Sequence, residues 1–374
     1  MTDAEPHVLA LAHNDAEMMP LAVDLATALG TDGHTAVGVD RHWLRGPHLR
    51  LWLDGTTDAT AVTALAEAAA ARHRSQVFLG DDAYAERSVL LGAAELVPGP
   101  YLPLRDDNTV SPDPQSTVSA ATLIGTTALT LKRRVLAALR PAVAASSSLA
   151  AQPAAVRLVP LMIVLAARWE IAGVRSGYLT FRSHLEDHLT LHDESGALRA
   201  RYAEMLASAR PALETLVNST IEAIALDGTL RRGRYTGGDP VLHAWSDGFG
   251  AAVAIARMAA DTGTITEDFG DHYAEVARDA FAGQEARWTF DDQRQYSAFH
   301  QTLRSLNTLP ERANTRQFAA YRFTVNQFLR AATLLDVSPV QRYFSSYVVS
   351  ELVEEYFGTS WRELLAAGRA GTQR

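Results

Sequence analysis

Three short stretches hold the residues with which this chain could do chemistry. In Pro47 to Gly55, PHLRLWLDG, leucines alternate with His48, Arg50 and Trp52. That is the period-two pattern of a strand with one apolar face and these three side chains on the other. They offer a proton carrier, a permanently charged donor for a carbonyl or developing oxyanion, and a ring that can stack. The alternation leaves two readings of that face: a pocket wall, or a surface under a helix with Arg50 in a structural ion pair. The second stretch, Phe181-Arg182-Ser183-His184, groups two hydrogen-bonding side chains with an imidazole whose ordinary pKa lies near neutrality. It also reads as a helix start, Ser183 being the N-cap and Glu186 the third residue of a capping box.

The third stretch runs from Trp288 to His300, WTFDDQRQYSAFH. On a helix starting near Asp291, Gln293, Tyr296 and His300 stand three and four apart and share a face. A tyrosine hydroxyl there can donate to a substrate without being ionised. Trp288 and Tyr101 are further candidates for substrate contact, although a tyrosine between prolines, as in GPYLPL, also serves to anchor a loop.

Elements must bring these residues together. VLALA (8–12), a helical segment at 19–29, TAVGVDRHWL, the strand after Pro47 and the alanine-rich helix after Gly55 give a β-α-β-β-α beginning. This has the split β-α-β character of ferredoxin-like folds, with helices on one sheet face and the other left available. Residues 80–108 are irregular because Pro98, Pro100 and Pro103 stand close together. The polar TVSPDPQSTV (109–118) reads as a loop. From 119 the pattern is mainly helical, near 119–145, 153–172, 195–226, 241–262, 268–286, 291–306, 316–336 and 340–368. The fold expected is helix-rich α+β with a small N-terminal sheet, a single elaborated domain over 1–374 with its α/β part in 1–110 and its helical part in 119–374.

Composition narrows the function. The chain has 374 residues, 47% hydrophobic and 21% charged, enough to bury a core. A net charge of -9 argues against nucleic acid as a partner. Without cysteine there is no thiol nucleophile, disulfide or thiolate metal site, which fits the cytoplasm. No apolar run is long enough for a membrane span, and the acidic start MTDAEPH has no secretory pattern. There is no phosphate-binding glycine loop, H-E-x-x-H or G-x-S-x-G. His184, His188 and His192 have helical metal-ligand spacing, but Thr190 and the turn-like HDESG favour a solvated helix end. The cationic run Arg231-Arg232-Gly233-Arg234-Tyr235 reads as a solvated turn, with contact to an acidic peptide as its alternative.

The order helix, RHWLRGPHLRLWLDG, alanine-rich helix resembles the C-terminal elimination module of class I lanthipeptide dehydratases. Pro47, His48, Leu49 and Arg50 match its P-H-L-R-x-R strand, and Trp52 replaces the second arginine. Near the C-terminus, Ser346 to Glu351, running on to Phe357-Gly358, is similar to the module's serine-leucine-x-histidine helix, with Val349 in place of the histidine. An elimination enzyme needs paired cations and an acid–base group, so these departures point to the branch that forms pyridines in thiopeptides. The segment 85–108 and the FRSH tetrad are similar to features of that branch.

The resemblance implies an enzyme without metal or organic cofactor, a cyclase and lyase acting on a precursor peptide that carries a leader and a thiazole-bearing core. It joins two dehydroalanines by a formal aza-[4+2] cycloaddition, then eliminates water and the leader. Arg50, His184 and Tyr296 are the catalytic candidates. His48, Trp52, Tyr101, Arg182, Ser183, Trp288, Gln293 and His300 are the substrate-contact candidates. Two other readings stand beside it, a stand-alone enzyme eliminating glutamate from a glutamylated precursor and a noncatalytic peptide-binding scaffold. A homodimer is open in all three.

Overall fold

Leucines and valines at alternate positions make the N-terminal strands, and alanine-rich segments make the helices beside them. In chain order the first elements are β1 (His7–Ala12), α1 (Met19–Thr31), β2 (Gly38–His42), β3 (His48–Leu53), α2 (Ala59–Arg72), α3 (Asp81–Glu95), β4 (Val110–Pro112) and α4 (Pro114–Ala144). Then come α5 (Ala154–Ala166), α6 (Val174–Gly177), α7 (Leu179–His192), α8 (Ala197–Glu222), β5 (Ile224–Leu226), β6 (Gly233–Tyr235) and α9 (Pro240–Asp261). The last are α10 (Asp271–Ala280), α11 (Glu285–Trp288), α12 (Ala298–Leu306), α13 (Thr315–Ala331), α14 (Pro339–Phe357) and α15 (Trp361–Gly371). The structure, a computed structural model, describes residues 7–226, 233–265, 271–292, 294–306 and 315–371. The chain forms two compact units. The first takes in the chain up to Ala150, Ala251–Arg294 and Asn326–Asp336; the second takes in Ala151–Gly250, Gln295–Val325 and the chain from Val337.

In the first unit the sheet has the order β2-β3-β1-β4, every neighbouring pair antiparallel. β1 and β2 therefore run parallel with β3 between them, the split β-α-β arrangement of the expected α+β fold. The expectation of an open sheet face is corrected. α4 packs on β2, and a Cβ on Gly38 would lie 2.8 Å from the Arg133 carbonyl oxygen and 2.9 Å from Leu136 Cβ. All six residues of β3 are buried as a result.

The stretch expected as a loop at 109–118 instead supplies the edge strand β4 and the start of α4, because Asp113 caps that helix by accepting the Ser116 N–H. Gly125, at φ 76° and ψ 154°, breaks α4 into two helical lengths, a conformation that suits glycine. In the irregular region, α3 is regular up to Glu95 and stops at Leu96 in the left-handed conformation, ahead of the prolines.

In the second unit α5, buried from Leu158 to Ala166, packs against α8 and α14, and α14 also lies along α7. Three boundaries differ from expectation. α7 begins at Leu179, so Ser183 stands inside the helix rather than at its N-cap. α12 begins only at Ala298, so Tyr296 precedes the helix and does not share a helical face with His300; Gln293 lies outside the described residues. Gly358, left-handed at φ 59°, divides the span 340–368 into α14 and α15. The small hairpin β5–β6 was not expected. Arg231 and Arg232 lie outside the described residues, and Arg234 pairs with Asp247 at 3.3 Å, both largely exposed. No helix among the described residues is long and apolar enough to cross a membrane.

Candidate functional site

The strand register places Asp40 of β2 directly opposite Arg50 of β3. Arg50 donates from Nε and Nη2 to the two Asp40 oxygens at 2.8 and 2.7 Å, and Trp52 Nε1 donates to Oδ1 at 2.9 Å. From α4, Lys132 Nζ reaches Oδ2 at 3.1 Å and stands 4.0 Å from the Trp52 ring centroid. All four side chains are buried. Burial pushes the Asp40 carboxyl up, but Arg50, Lys132 and the hydrogen bonds outweigh it, so the group stays far below the ordinary carboxylate range. Burial pulls Lys132 well down against the attraction of Asp40. This is the covered-face reading of PHLRLWLDG: the guanidinium is forked onto a carboxylate, and the Lys132 nitrogen lies against the indole.

His48 is fully buried, its Nδ1 2.8 Å from the Gly46 carbonyl oxygen and its Nε2 3.6 Å from Asp113. The latter separation is beyond a hydrogen bond. Asp113 is paired with Arg105 at 2.9 Å. Burial pulls the His48 imidazole down, partly offset by Asp113. Tyr101 anchors its loop, donating to the Val97 carbonyl at 3.0 Å beside Gly92. Trp288 stacks on Tyr273 at 4.8 Å, against Leu96, Leu123 and Ala277. These residues all belong to the first unit.

The second unit brings a different set together. α7 carries Ser183, whose Oγ is 2.9 Å from His300 Nε2 on α12. The other ring nitrogen, Nδ1, is 2.9 Å from Ser297 Oγ, which also accepts the His300 backbone N–H at 3.2 Å and so starts α12. Phe299 packs edge-on to both His300 and Trp361, at 5.3 and 5.2 Å. Next to Ser183, the buried Arg182 pairs with Glu354 at 2.8 Å, Glu351 at 3.1 Å and Glu186 at 3.4 Å. Tyr178 donates to Glu354 at 3.1 Å. Burial raises the Glu354 carboxyl despite Arg182 beside it.

Tyr296 accepts a hydrogen bond from Arg304 Nη1 at 2.7 Å, and the guanidinium lies 4.4 Å from the ring centroid. His184 is half-buried on α7, and His188 stacks on Tyr343 at 3.7 Å with His192 at 4.9 Å. Among the described residues no three histidine or acidic side chains are placed to hold a metal ion.

Thus Ser183, His300 and Arg182 are drawn into one neighbourhood, whereas His48, Arg50 and Trp52 are packed under α4. Sequence reasoning missed Asp40, Lys132 and Ser297. Asp40 carried a signal, an acidic residue alternating with valines in a short strand. Ser297 did as well, as a serine three residues ahead of His300 and just before a helix. Lys132 had none, being one of three adjacent residues, Lys132-Arg133-Arg134, in a long helix.

No protein-family model and no curated protein matches the sequence. Solved structures do match in fold, two of them over almost their whole length. The pyridine synthase TbtD from thiomuracin biosynthesis superposes with a TM-score of 0.65 at 17% identity, covering 95% of this chain and 99% of TbtD. TsrL superposes with a TM-score of 0.60 at 16% identity, covering 96% of this chain and 97% of TsrL. Over almost the full length of both chains, this protein has the pyridine-synthase fold of TbtD.

Proposed function

We propose that this protein is a peptide-modifying enzyme of thiopeptide biosynthesis. It joins two dehydroalanines of one precursor peptide by a formal aza-[4+2] cycloaddition, then expels water and the leader to leave a pyridine. The observation that carries this reading is the end-to-end fold likeness to a protein described as a pyridine synthase. The leader serves as the affinity handle, and the reaction takes place in the cytoplasm, where the precursor is made.

The chemistry makes modest demands on side chains. Holding two alkenes of one flexible peptide in contact supplies the largest share, roughly 7–11 kcal/mol for well-oriented partners. A donor must stabilise the imidic-acid form of one amide, and Tyr296, with Arg304 on its oxygen, suits that task. Loss of water and of the leader then requires a group that moves protons near neutral pH, drawn from His184 and His300. Arg50, forked onto Asp40, acts through the strand it holds rather than on the peptide.

The test is mass spectrometry of the purified protein with a synthetic leader–core peptide bearing thiazoles and two dehydroalanines. The reading predicts a released leader carboxamide and a macrocycle lighter by that amide and one water. An unchanged peptide, combined with loss of glutamic acid from a glutamylated precursor, would overturn it in favour of elimination. Binding without any change of mass in either peptide would leave only the scaffold role.

A further inference from the structure

Hydroxyls inside the helices of this protein mostly turn back on their own helix. Thr190 donates to the Glu186 carbonyl, Thr324 to Ala320, Ser345 to Gln341, Ser346 to Arg342 and Ser350 to Ser346. This is the usual resting place for such a group. Ser183, in the interior of α7, does otherwise: its Oγ is directed across to α12, 2.9 Å from His300 Nε2. On the far side of that ring, Ser297 Oγ already accepts the His300 backbone N–H, and it lies 2.9 Å from Nδ1. A hydroxyl oxygen has two lone pairs and can accept from both. Two tautomers fit these contacts, and in the one with Nδ1–H donating to Ser297, Nε2 accepts the Ser183 O–H.

We infer that Ser183 and His300 form a proton relay, with Ser183 Oγ at its substrate end and Ser297 as the positioning residue that sets the imidazole tautomer. The inference rests on the pyridine-forming reading and names the group that moves its protons, assigning that work to His300 rather than His184. Ser183 Oγ takes a carbon-bound proton from the cycloadduct while its own proton passes to Nε2. The electron pair of the broken C–H bond becomes a ring double bond and expels the hydroxyl group. The proton then returns from the imidazolium through Ser183 to that leaving group, giving water. The same sequence, repeated on the dihydropyridine, delivers a proton to the leader amide as its bond to the ring breaks. No proton is consumed overall, and no oxidant or reductant is required.

Two measurements on the full-length protein test this. The first is long-range proton–nitrogen correlation spectroscopy of protein labelled with nitrogen-15 histidine, His300 being assigned by comparison with His300→Gln. Neutral His300 is expected as the Nδ1–H tautomer, lost in Ser297→Ala and restored in Ser297→Thr. The Nε2–H tautomer in the wild type overturns the relay. The second is turnover of the leader–core peptide by Ser183→Ala, expected to lower kcat about 100-fold with KM within about twofold, while Ser183→Thr retains most of the rate. Because Ser183 makes no bond to its own helix among the described contacts, the alanine variant should fold as the wild type does. A wild-type kcat in Ser183→Ala overturns the relay alone. A wild-type protein that leaves the peptide unchanged overturns the functional reading, and the relay's step with it.

Discussion

Asp40 and Arg50 face each other across β2 and β3, and the guanidinium closes on the carboxylate with two hydrogen bonds of 2.8 and 2.7 Å. Lys132 meets the same carboxylate from the helix above. One carboxylate therefore meets two basic side chains in a dry place, and the two ends of this arrangement are not equivalent. Asp40→Ala leaves the buried Arg50 guanidinium without its carboxylate, whereas Arg50→Met leaves Asp40 still paired with Lys132. Breaking a buried pair costs about 3–5 kcal/mol, so Asp40→Ala should reach or exceed that range and Arg50→Met should fall below it. Urea midpoints of the two variants decide the order, and any loss of turnover should follow stability.

Tyr296→Phe should behave differently. If its hydroxyl stabilises the imidic-acid form, removing it should lower kcat about 100-fold while the urea midpoint barely moves. Single-turnover mass spectrometry under saturating peptide measures the first quantity. A variant as fast as the wild type would remove Tyr296 from the chemistry.

Acid should destabilise the protein in two stages. His42 and His48 are buried, and burial pulls both imidazoles below their ordinary value, with Arg50 and His48 adding to the effect at His42. The unfolded chain then binds protons that the folded one does not, so what these histidines contribute is complete above about pH 6.5 and declines as the pH falls below it. Asp40 and Asp113 follow the carboxylate rule. Their folded values are depressed, so what they contribute is present above about pH 4 and lost below it. Urea midpoints between pH 8 and pH 5 should show the first stage, and His42→Gln should flatten it.

Gly92 is needed for its lack of a side chain. A Cβ there would collide with the Tyr101 hydroxyl and lie 2.8 Å from the Val97 carbonyl oxygen. Gly92→Ala should cost about 1–3 kcal/mol through displacement of the loop, and Tyr101→Phe about 0.5–1.5 kcal/mol through loss of one hydrogen bond. A double-mutant cycle by thermal unfolding should show the two changes to be coupled.

The α+β architecture was legible because strand alternation and helix periodicity are local: β1, β3, α1 and α2 fall within a few residues of where the pattern puts them. What the alternation in β3 could not say is what lies above it. Whether His48, Arg50 and Trp52 face a pocket or a helix is decided by Gly38 and Lys132, more than 90 residues apart and joined only by packing. Ser183 shows the opposite limit. Its spacing to Glu186 satisfies the capping-box pattern, yet the helix starts earlier, at Leu179, and leaves the hydroxyl to find His300 117 residues away. Side chains that act across the fold leave little trace in short spacing, because their partners are set by tertiary contact.

The node at Asp40 has a consequence for how such sequences diverge. A carboxylate serving two basic side chains and an indole ties positions 40, 50, 52 and 132 into one heritable unit. The carboxylate in particular cannot turn neutral by itself without leaving the Arg50 guanidinium unanswered beneath α4. Chains of this fold that have drifted far apart should carry the whole set or have exchanged it for an apolar one, and chains holding half of it should be rare.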